Sequence, residues 1–493
     1  MKYKETKLIV YLNTFSKGEM NELDKYLSSP YFKRNRDPLP LFKVLKKHHQ
    51  DLKSDSFNEK IIFNELYPGT DFSDKKAQNN FRSISSYLLK SVEEFIFISE
   101  IRNNNILKNR TMLESLLDKN LLKYYEQYLP TAYKDLKDHE KLWGQDEIEH
   151  ILLGNINSRY YSLKRDLKSY LEKNFENTEI TSSFFLINLL RSAKTKFLTE
   201  TFNDIKTGNT SIDVYLNSID MEKIIDVFKG APVYVNICFN YLVYLSLINN
   251  YDKEFYKKAK KLFFENKSGI NRKDLNYYYS DLMNIIDVHR KSDNEKNKEF
   301  FSIMVSCLDD KAYKISEDDY MQPDFYRNVI LFSNRLKRFN WADKFVNEYT
   351  NELQPELRDN MMFYSKAVIC YGRGEFEKSL DHISKIKYDL VGFKTDVKIF
   401  MLRIYYELDM TDQIYSLIDT FKHFIKNSKH MSKDVKDIFS NYLKYFQKIY
   451  KIRSLYDKNE SGLLRKNLLK EILVCERNWL LEKLDKIDLD YNK

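Results

Sequence analysis

The chain has 493 residues, of which 43% are hydrophobic and 31% are charged, so it is expected to fold around one or more sizeable cores. It contains only 11 glycines and 8 prolines, which disfavours sandwiches, barrels and glycine-rich nucleotide loops and favours long helices joined by few, short turns. The formal net charge of +9 is compatible with an acidic partner but identifies none.

The cysteines and the N-terminus indicate a reducing compartment. Cys238, Cys307, Cys370 and Cys475 are far apart in the chain, and no pair of them has metal-ligand spacing. The apolar run at residues 8–12 is too short for the core of a secretion signal. We therefore predict free, buried thiols and a cytoplasmic location.

Residues 1–100 are predicted to form a compact N-terminal helical module. Ser16 and Glu19 have the spacing of a capping box, and a long helix is predicted from about Ser73 to Glu100 because apolar residues recur there at steps of three and four. Residues 101–230 are predicted to continue as long helices.

Residues 231–430 are predicted to hold repeated helical hairpins. An aromatic residue or methionine recurs there at spacings of 35 and 34 residues, each followed four residues later by a large apolar residue: Trp341 and Phe345, Phe376 and Leu380, Met410 and Ile414. A period of this size is typical of stacked helical hairpins. Residues 431–493 are predicted to form a basic helical cap, because the end of such a stack must be covered.

One segment is long enough to raise the question of a membrane span. No charged residue occurs between Lys229 and Asp252, and this length can cross a bilayer. The segment contains Pro232 and several asparagines, however, and unpaired amides are costly in hydrocarbon. We predict a fully buried helix and no membrane span.

The best-formed hairpin resembles a known family. Phe363, Ala367, Gly374, Phe376 and Leu380 resemble the tetratricopeptide-repeat (TPR) pattern, in which small and aromatic residues let the two helices of a unit pack together. The resemblance extends over about residues 323–425. It implies an all-α, right-handed, TPR-like helical-hairpin solenoid that binds a peptide or helix on its concave face.

The neighbouring units depart from that pattern. Lys344 and Gln413 align with a position that is usually small in the family, and Phe332 and Met401 align with Ala367. Residues 27–32 and 476–480 resemble uncharacterised all-helical bacterial proteins, a resemblance that implies no function.

No local motif indicates catalysis, a metal or a cofactor. The tripeptide from Gly372 to Gly374 lacks the preceding strand and third glycine of a dinucleotide loop, and we interpret it as the turn between two helices. Neither the histidines nor the acidic clusters have the spacing of a zinc or calcium site. We predict that the chain is not an enzyme, with no catalytic, metal or cofactor-binding residues.

The leading hypothesis is a non-catalytic scaffold that binds an unidentified protein partner. The candidate contact residues are polar or aromatic residues of the first helices that the core does not need: Arg327, Asn328, Arg335, Asn360, Tyr364 and Arg403.

The alternative is a regulator that associates with nucleic acid. Residues 65–89 resemble the helix-turn-helix core of TPR-containing bacterial regulators, and this resemblance implies a major-groove face made of Lys75, Lys76, Asn79, Arg82, Ser83 and Ser86. A basic stripe near the C-terminus also suits a polyanion: Lys433, Lys436, Lys444, Lys448 and Lys451. The competing interpretations are a helical cap for the first region and a solvated outer face for the second.

Overall fold

The chain is all-α. The computed structural model describes residues 3–32, 36–52, 54, 57–137, 145–203, 205–249, 253–270, 272–288, 294–316, 319–387, 391–428, 431–455 and 457–491. Within these ranges it has 24 α-helices, four short 3-10 helices and no strand. The prediction of an all-α, TPR-like helical solenoid is confirmed.

The chain divides into two compact units, Met1–Phe184 and Phe185–Lys493, with the boundary inside the ninth α-helix. The earlier helices are α1 Lys7–Thr14, α2 Lys17–Ser28, α3 Leu39–Lys47, α4 Glu59–Leu66, α5 Lys75–Asn103, α6 Asn105–Asp118, α7 Leu122–Lys137, α8 Gln145–Leu163 and α9 Leu167–Asn203. The finer division of the chain into four regions stays a prediction.

The later helices all lie in the second unit. They are α10 Ser211–Ser218, α11 Met221–Val227, α12 Tyr234–Ile248, α13 Lys253–Asn266, α14 Arg272–Val288, α15 Asn294–Asp309, α16 Pro323–Arg335, α17 Phe339–Tyr349, α18 Pro355–Gly372, α19 Phe376–Ser384, α20 Val391–Glu407, α21 Thr411–Asn427, α22 Lys433–Ser454, α23 Lys458–Lys470 and α24 Arg477–Tyr491. Each helix from α12 to α23 packs against the next one in the chain.

The described residues of the first unit form two apolar cores. Helices α1–α5 enclose one around Leu12, Phe42 and Phe63, all with 0% exposure, and α6–α8 enclose the other around Leu113 and Tyr125, also with 0% exposure. The capping box is present at the start of α2, where the Ser16 N–H donates to Glu19 Oε2 at 2.6 Å and the Glu19 N–H donates to Ser16 Oγ at 3.2 Å. Helices α1–α5 therefore pack around one shared core.

Three successive hairpins of the second unit turn in the same way. The residue at the turn has a left-handed backbone in each: φ is 55° at Lys337, 81° at Gly374 and 56° at Asp409. The N–H of the next residue closes each turn by donating to the carbonyl oxygen five residues earlier: Arg338 to Ser333 at 2.8 Å, Glu375 to Cys370 at 2.9 Å and Met410 to Tyr405 at 3.0 Å. This is the Schellman arrangement, which satisfies carbonyls left free at a helix end.

Counting from these turns corrects the repeat register. Equivalent positions, all with 0% exposure, are Ile330, Ala367 and Leu402 in the first helices and Ala342, Ser379 and Ile414 in the second helices. The alignment of Trp341 with Phe376 and Met410 was therefore wrong, because it matched the third residue of α17 with the first of α19 and the residue before α21. The small residue expected by the family is present at Ala342, so Lys344 was not a departure.

The glycine tripeptide forms the α18–α19 turn, and the two glycines are favoured there for different reasons. A Cβ on Gly372 would lie 2.6 Å from the Phe339 ring and would also collide with the Asn334 side chain. Nothing lies within 4 Å of a Cβ on Gly374, so only its positive φ favours glycine there.

The contrast between Lys337 and Gly374 gives a testable prediction. Lys337→Gly should raise stability by roughly 0.5–1 kcal/mol, since it removes the left-handed strain of a side chain, and Gly374→Ala should lower it by a similar amount. The measurement is the apparent melting temperature, expected to move by about 2 °C in opposite directions. Melting temperatures that fall in both variants would contradict the strain argument.

Helix α12 lies in the uncharged segment and is not fully buried. Its side chains at Ile237, Val243 and Leu247 are buried, whereas Tyr234 and Tyr241 are only half-buried. The prediction of a fully buried helix was therefore wrong. Among the residues that the structure describes, no helix is long and apolar enough to cross a membrane.

Candidate functional site

Three of the six candidate contact residues are buried or ion-paired within the chain. Arg327 of α16 forms an ion pair with Asp396 of α20, and its guanidinium also lies 3.5 Å from Asp324. Burial raises the pKa of Asp396, although the neighbouring Arg327 opposes this shift. Tyr364 of α18 is 3% exposed, and burial raises the pKa of its hydroxyl.

The third residue, Arg403, holds the C-terminal segment against α20. Its Nη1 lies 2.9 Å from Glu476 Oε2, and the guanidinium lies 4.9 Å from the Tyr371 ring centroid and 5.6 Å from that of Trp479. With 18% of its side chain exposed, this arginine is occupied by contacts within the chain.

A second set of polar contacts continues from Arg403 towards α24. The Trp479 Nε1–H donates to Tyr371 Oη at 2.9 Å, and the Tyr371 hydroxyl donates to Glu407 Oε1 at 2.9 Å. Lys483 Nζ lies 2.7 Å from the same Glu407 oxygen, and both side chains are at most 10% exposed. We call Arg403, Glu476, Tyr371, Glu407, Trp479 and Lys483 the C-terminal clamp.

The other three candidate residues differ in accessibility. Asn360 ties down the end of α19, since its Nδ2 donates to the Lys387 carbonyl at 3.0 Å and its Oδ1 accepts from the Lys387 N–H at 2.9 Å. Asn328 is half-buried, and Arg335 is exposed. Of the six, Arg335 is therefore the side chain most open to a partner.

Arg335 is part of a basic edge that the sequence analysis did not identify. Its guanidinium lies 4.9 Å from the Phe332 ring centroid, and the exposed Arg338 lies 5.1 Å from that of Phe301. Lys337 is exposed between them. In the part of the chain that the structure describes, none of these three cations forms an ion pair, and we call them the hairpin edge. The signal in the sequence was the dense basic run at residues 335–338.

The basic stripe on α22 is largely open to solvent. Lys433, Lys444, Lys448 and Lys451 are exposed and Lys436 is half-buried. Within the described ranges, none of the five is paired with a carboxylate. From the preceding helix, Lys422 Nζ donates to Gln447 Oε1 at 3.3 Å, which brings a further cation to this face.

The candidate DNA-reading face of α5 is also accessible. Lys75, Lys76, Asn79, Arg82 and Ser86 are exposed and Ser83 is half-buried, hydrogen-bonded to Arg36. An open polar groove of about 720 Å³ lies beside the first turns of α5 and is lined by residues that include Tyr67, Lys76, Asn79 and Asn80. Helix α5 extends from Lys75 to Asn103, and α4 before it has eight residues.

An apolar groove in the second unit was missed altogether. Helices α11, α12 and α13 enclose an open groove of about 510 Å³, whose floor and walls include Ile225, Tyr234, Cys238, Tyr241 and Leu262. The sequence signal was the absence of charge around α12, which had been interpreted as complete burial.

The four cysteines are free thiols that differ in burial. Cys307 and Cys370 are buried free thiols, and Cys238 and Cys475 are half-buried. Burial raises the pKa of Cys238 and of Cys475, which disfavours the reactive thiolate. No group of three or more histidine, cysteine or acidic side chains that could hold a metal ion occurs among the described residues.

Comparison with known proteins supports the repeat architecture. Over 306 residues the chain is 21% identical to the TPR repeat-containing protein MJ1428 of Methanocaldococcus jannaschii, and the alignment covers 61% of this chain and 48% of that protein. The chain therefore spans about half the length of the curated relative it matches. No model of a known protein family matches the chain, and no solved structure matches it. The resemblance to bacterial all-helical proteins stays a prediction.

Proposed function

We propose that this chain is a non-catalytic scaffold that binds protein partners, with a peptide or helix as the bound element, on the surface formed by its helical hairpins. The similarity to a TPR protein supports a protein-interaction role, because repeats of this type present extended binding surfaces. It also favours a scaffold over an enzyme.

The observation that carries the proposal is the hairpin edge. Arg335 and Arg338 are exposed, each lies over an aromatic ring, and no described carboxylate neutralises either of them. Arginine is enriched at the energetic centres of protein interfaces, and a ring beneath the guanidinium restricts its motion before binding. This edge suits an acidic peptide or an acidic helix face.

The test is affinity capture with the full chain and two matched double variants. Arg335→Glu/Arg338→Glu should reduce recovery of the bound protein at least tenfold, since both contacts would become repulsive. Lys444→Glu/Lys448→Glu reverses the same number of charges on α22 and should leave recovery unchanged.

A partner that binds the Arg335→Glu/Arg338→Glu variant as well as the wild type would contradict the role of the hairpin edge. Circular dichroism and the melting temperature of each variant should match those of the wild type, because all four side chains are exposed.

A second candidate function is association with nucleic acid. It is favoured by the exposed α5 face and by the α22 lysines, which have no described acidic partner. Binding of duplex DNA should then weaken steeply with salt, and each removed phosphate contact should reduce the slope by about one. Lys76→Glu/Arg82→Glu and Lys444→Glu/Lys448→Glu distinguish the two surfaces, and no binding at low salt would reject this candidate.

A further inference from the structure

Helix α12 has an apolar face that the described part of the chain covers only in part. Residues 230–251 contain no charge, a pattern expected of a helix that is buried all round. One face is indeed buried, but the opposite one is only half-buried and carries apolar or aromatic side chains at helical spacing: Tyr234, Cys238, Tyr241 and Leu242. The uncharged segment therefore includes a surface that the rest of the described unit leaves open.

This face forms the floor of the groove between α11 and α13. Ile225 contributes from α11 and Leu262 from α13, so that both walls continue the apolar floor. The floor residues extend from Tyr234 to Tyr241, which corresponds to about 11 Å along the helix. A groove of about 510 Å³ with this length accommodates two or three large side chains projecting from one face of a helix.

The two rims of the groove carry opposite charges. Glu222 and Asp226 line the α11 side, and Lys258 and Lys261 line the α13 side. Asp226 is partly neutralised by Lys229 at 2.8 Å and Lys261 by Glu265 at 3.8 Å. Glu222 and Lys258 form no ion pair with a described residue, so they carry the charge difference between the rims.

We propose that this groove binds an amphipathic helix of a partner protein, with apolar anchors on the face that enters the groove, basic residues along one flank and acidic residues along the other. The basic flank lies over Glu222 and the acidic flank over Lys258. This inference rests on the proposed scaffold function and specifies one site and the chemistry of its ligand. An apolar face with oppositely charged flanks is complementary to the floor and to both rims.

Cys238 provides a reporter at the floor of the groove. Its thiol is half-buried, whereas Cys307 and Cys370 are buried in the core of the unit. Burial raises the pKa of Cys238, so alkylation is expected to be slow at neutral pH and faster as the pH rises. Mass spectrometry of peptides from the alkylated full chain measures the rate at this cysteine separately from the others.

The experiment uses three synthetic helical peptides with the same leucine face. The mixed peptide has lysines on one flank and glutamates on the other, and the two controls have only lysines or only glutamates on both flanks. At low salt the mixed peptide should slow alkylation of Cys238 at least fivefold and bind about tenfold more tightly than either control. Reversing the helix in the groove exchanges its flanks, so the mixed peptide binds in the direction that places its lysines over Glu222.

Two variants and one matched control test the site. Tyr241→Glu places a charge on the floor and should abolish protection of Cys238 and binding of all three peptides. Leu463→Glu changes an equally apolar residue that is 60% exposed on α23 and should change neither. Glu222→Lys alters only an exposed rim, so it keeps the fold and should make the all-glutamate peptide the tightest binder.

Several results would overturn the proposal: no protection of Cys238 by any peptide, equal affinity for all three peptides, or unchanged binding in Tyr241→Glu. Protection that appears without peptide as the protein concentration rises, together with dimer formation that Tyr241→Glu abolishes, would assign the groove to a second copy of the chain instead. If the groove fails these tests while partner capture still depends on the hairpin edge, the scaffold function stands and this proposal alone is rejected.

Discussion

Replacing Lys194 by methionine is expected to cause one of the largest losses of stability of any single substitution in the second unit. The Lys194 side chain is 5% exposed and pairs with Asp281 of α14, and its Nζ donates to Asn240 Oδ1 of α12 at 2.7 Å. Burial lowers the pKa of Lys194, while Asp281 favours its charged form. Methionine fills a similar volume but leaves a carboxylate and an amide without their cation.

The expected cost is about 3–5 kcal/mol, the usual result of removing one partner of a buried ion pair. For a unit of this size it corresponds to a fall of roughly 6 °C or more in the apparent melting temperature. Differential scanning calorimetry measures this shift. Lys223→Met is the control, because Lys223 lies on α11 of the same unit and its side chain is 84% exposed.

A double variant distinguishes the cost of leaving Asp281 unpaired from the loss of its attraction to Lys194. Lys194→Met/Asp281→Leu removes both charges and should recover most of the lost stability, since a buried pair is often replaceable by apolar side chains. If the double variant is less stable than Lys194→Met alone, the pair itself contributes net stability and the desolvation argument is wrong.

The local elements could be predicted from the sequence because their signals involve neighbouring residues. A helix from about Ser73 to Glu100 was predicted, and α5 extends from Lys75 to Asn103. The Ser16 capping box is present as expected. Apolar periodicity reports which side chains are buried, and capping residues report the hydrogen bonds at a helix end. Both signals lie within a few turns of the chain, and the fold class follows from the sum of such elements.

The repeat register could not be derived in the same way. The turns give no common residue type to align, since Lys337 and Asp409 occupy the same conformation as Gly374. A sequence comparison anchored on large apolar residues then aligned positions that lie on different turns of the helices. The turn conformation is set by backbone hydrogen bonds, which a lysine or an aspartate satisfies at some cost in strain.

Ion pairs between residues distant in the sequence explain why some of the predicted contact residues are not available to a partner. Arg327 and Arg403 look like free polar residues on a helix face, but their partners Asp396 and Glu476 lie 69 and 73 residues later in the chain. Nothing local distinguishes an arginine that binds a partner from one that meets a distant carboxylate. The uncharged segment around α12 shows the converse, because apolar composition alone does not reveal whether the chain itself or another molecule covers a face.

The C-terminal clamp leads to the second large expected effect. Arg403→Met should weaken the docking of α24 by about 2–3 kcal/mol, since it leaves Glu476 unpaired and removes a cation from between the Tyr371 and Trp479 rings. Amide hydrogen exchange in α24 should then accelerate about 30- to 160-fold, because exchange follows the free energy of local opening. Exchange in α16 should stay the same.

Arg335→Met is the matched control for this substitution. Both arginines lie 4.9 Å from an aromatic ring centroid, but Arg335 is exposed and has no described carboxylate partner. Its loss should change stability by no more than about 0.5 kcal/mol and leave exchange in α24 as it was. If Arg403→Met also leaves that exchange unchanged, the clamp does not hold α24, and Arg403 returns to the set of residues open to a partner. Both substitutions remove a guanidinium from above an aromatic ring, so a difference between them reports the ion pair with Glu476 and the additional Trp479 ring as the features that make Arg403 structural, whereas Arg335 is available for binding.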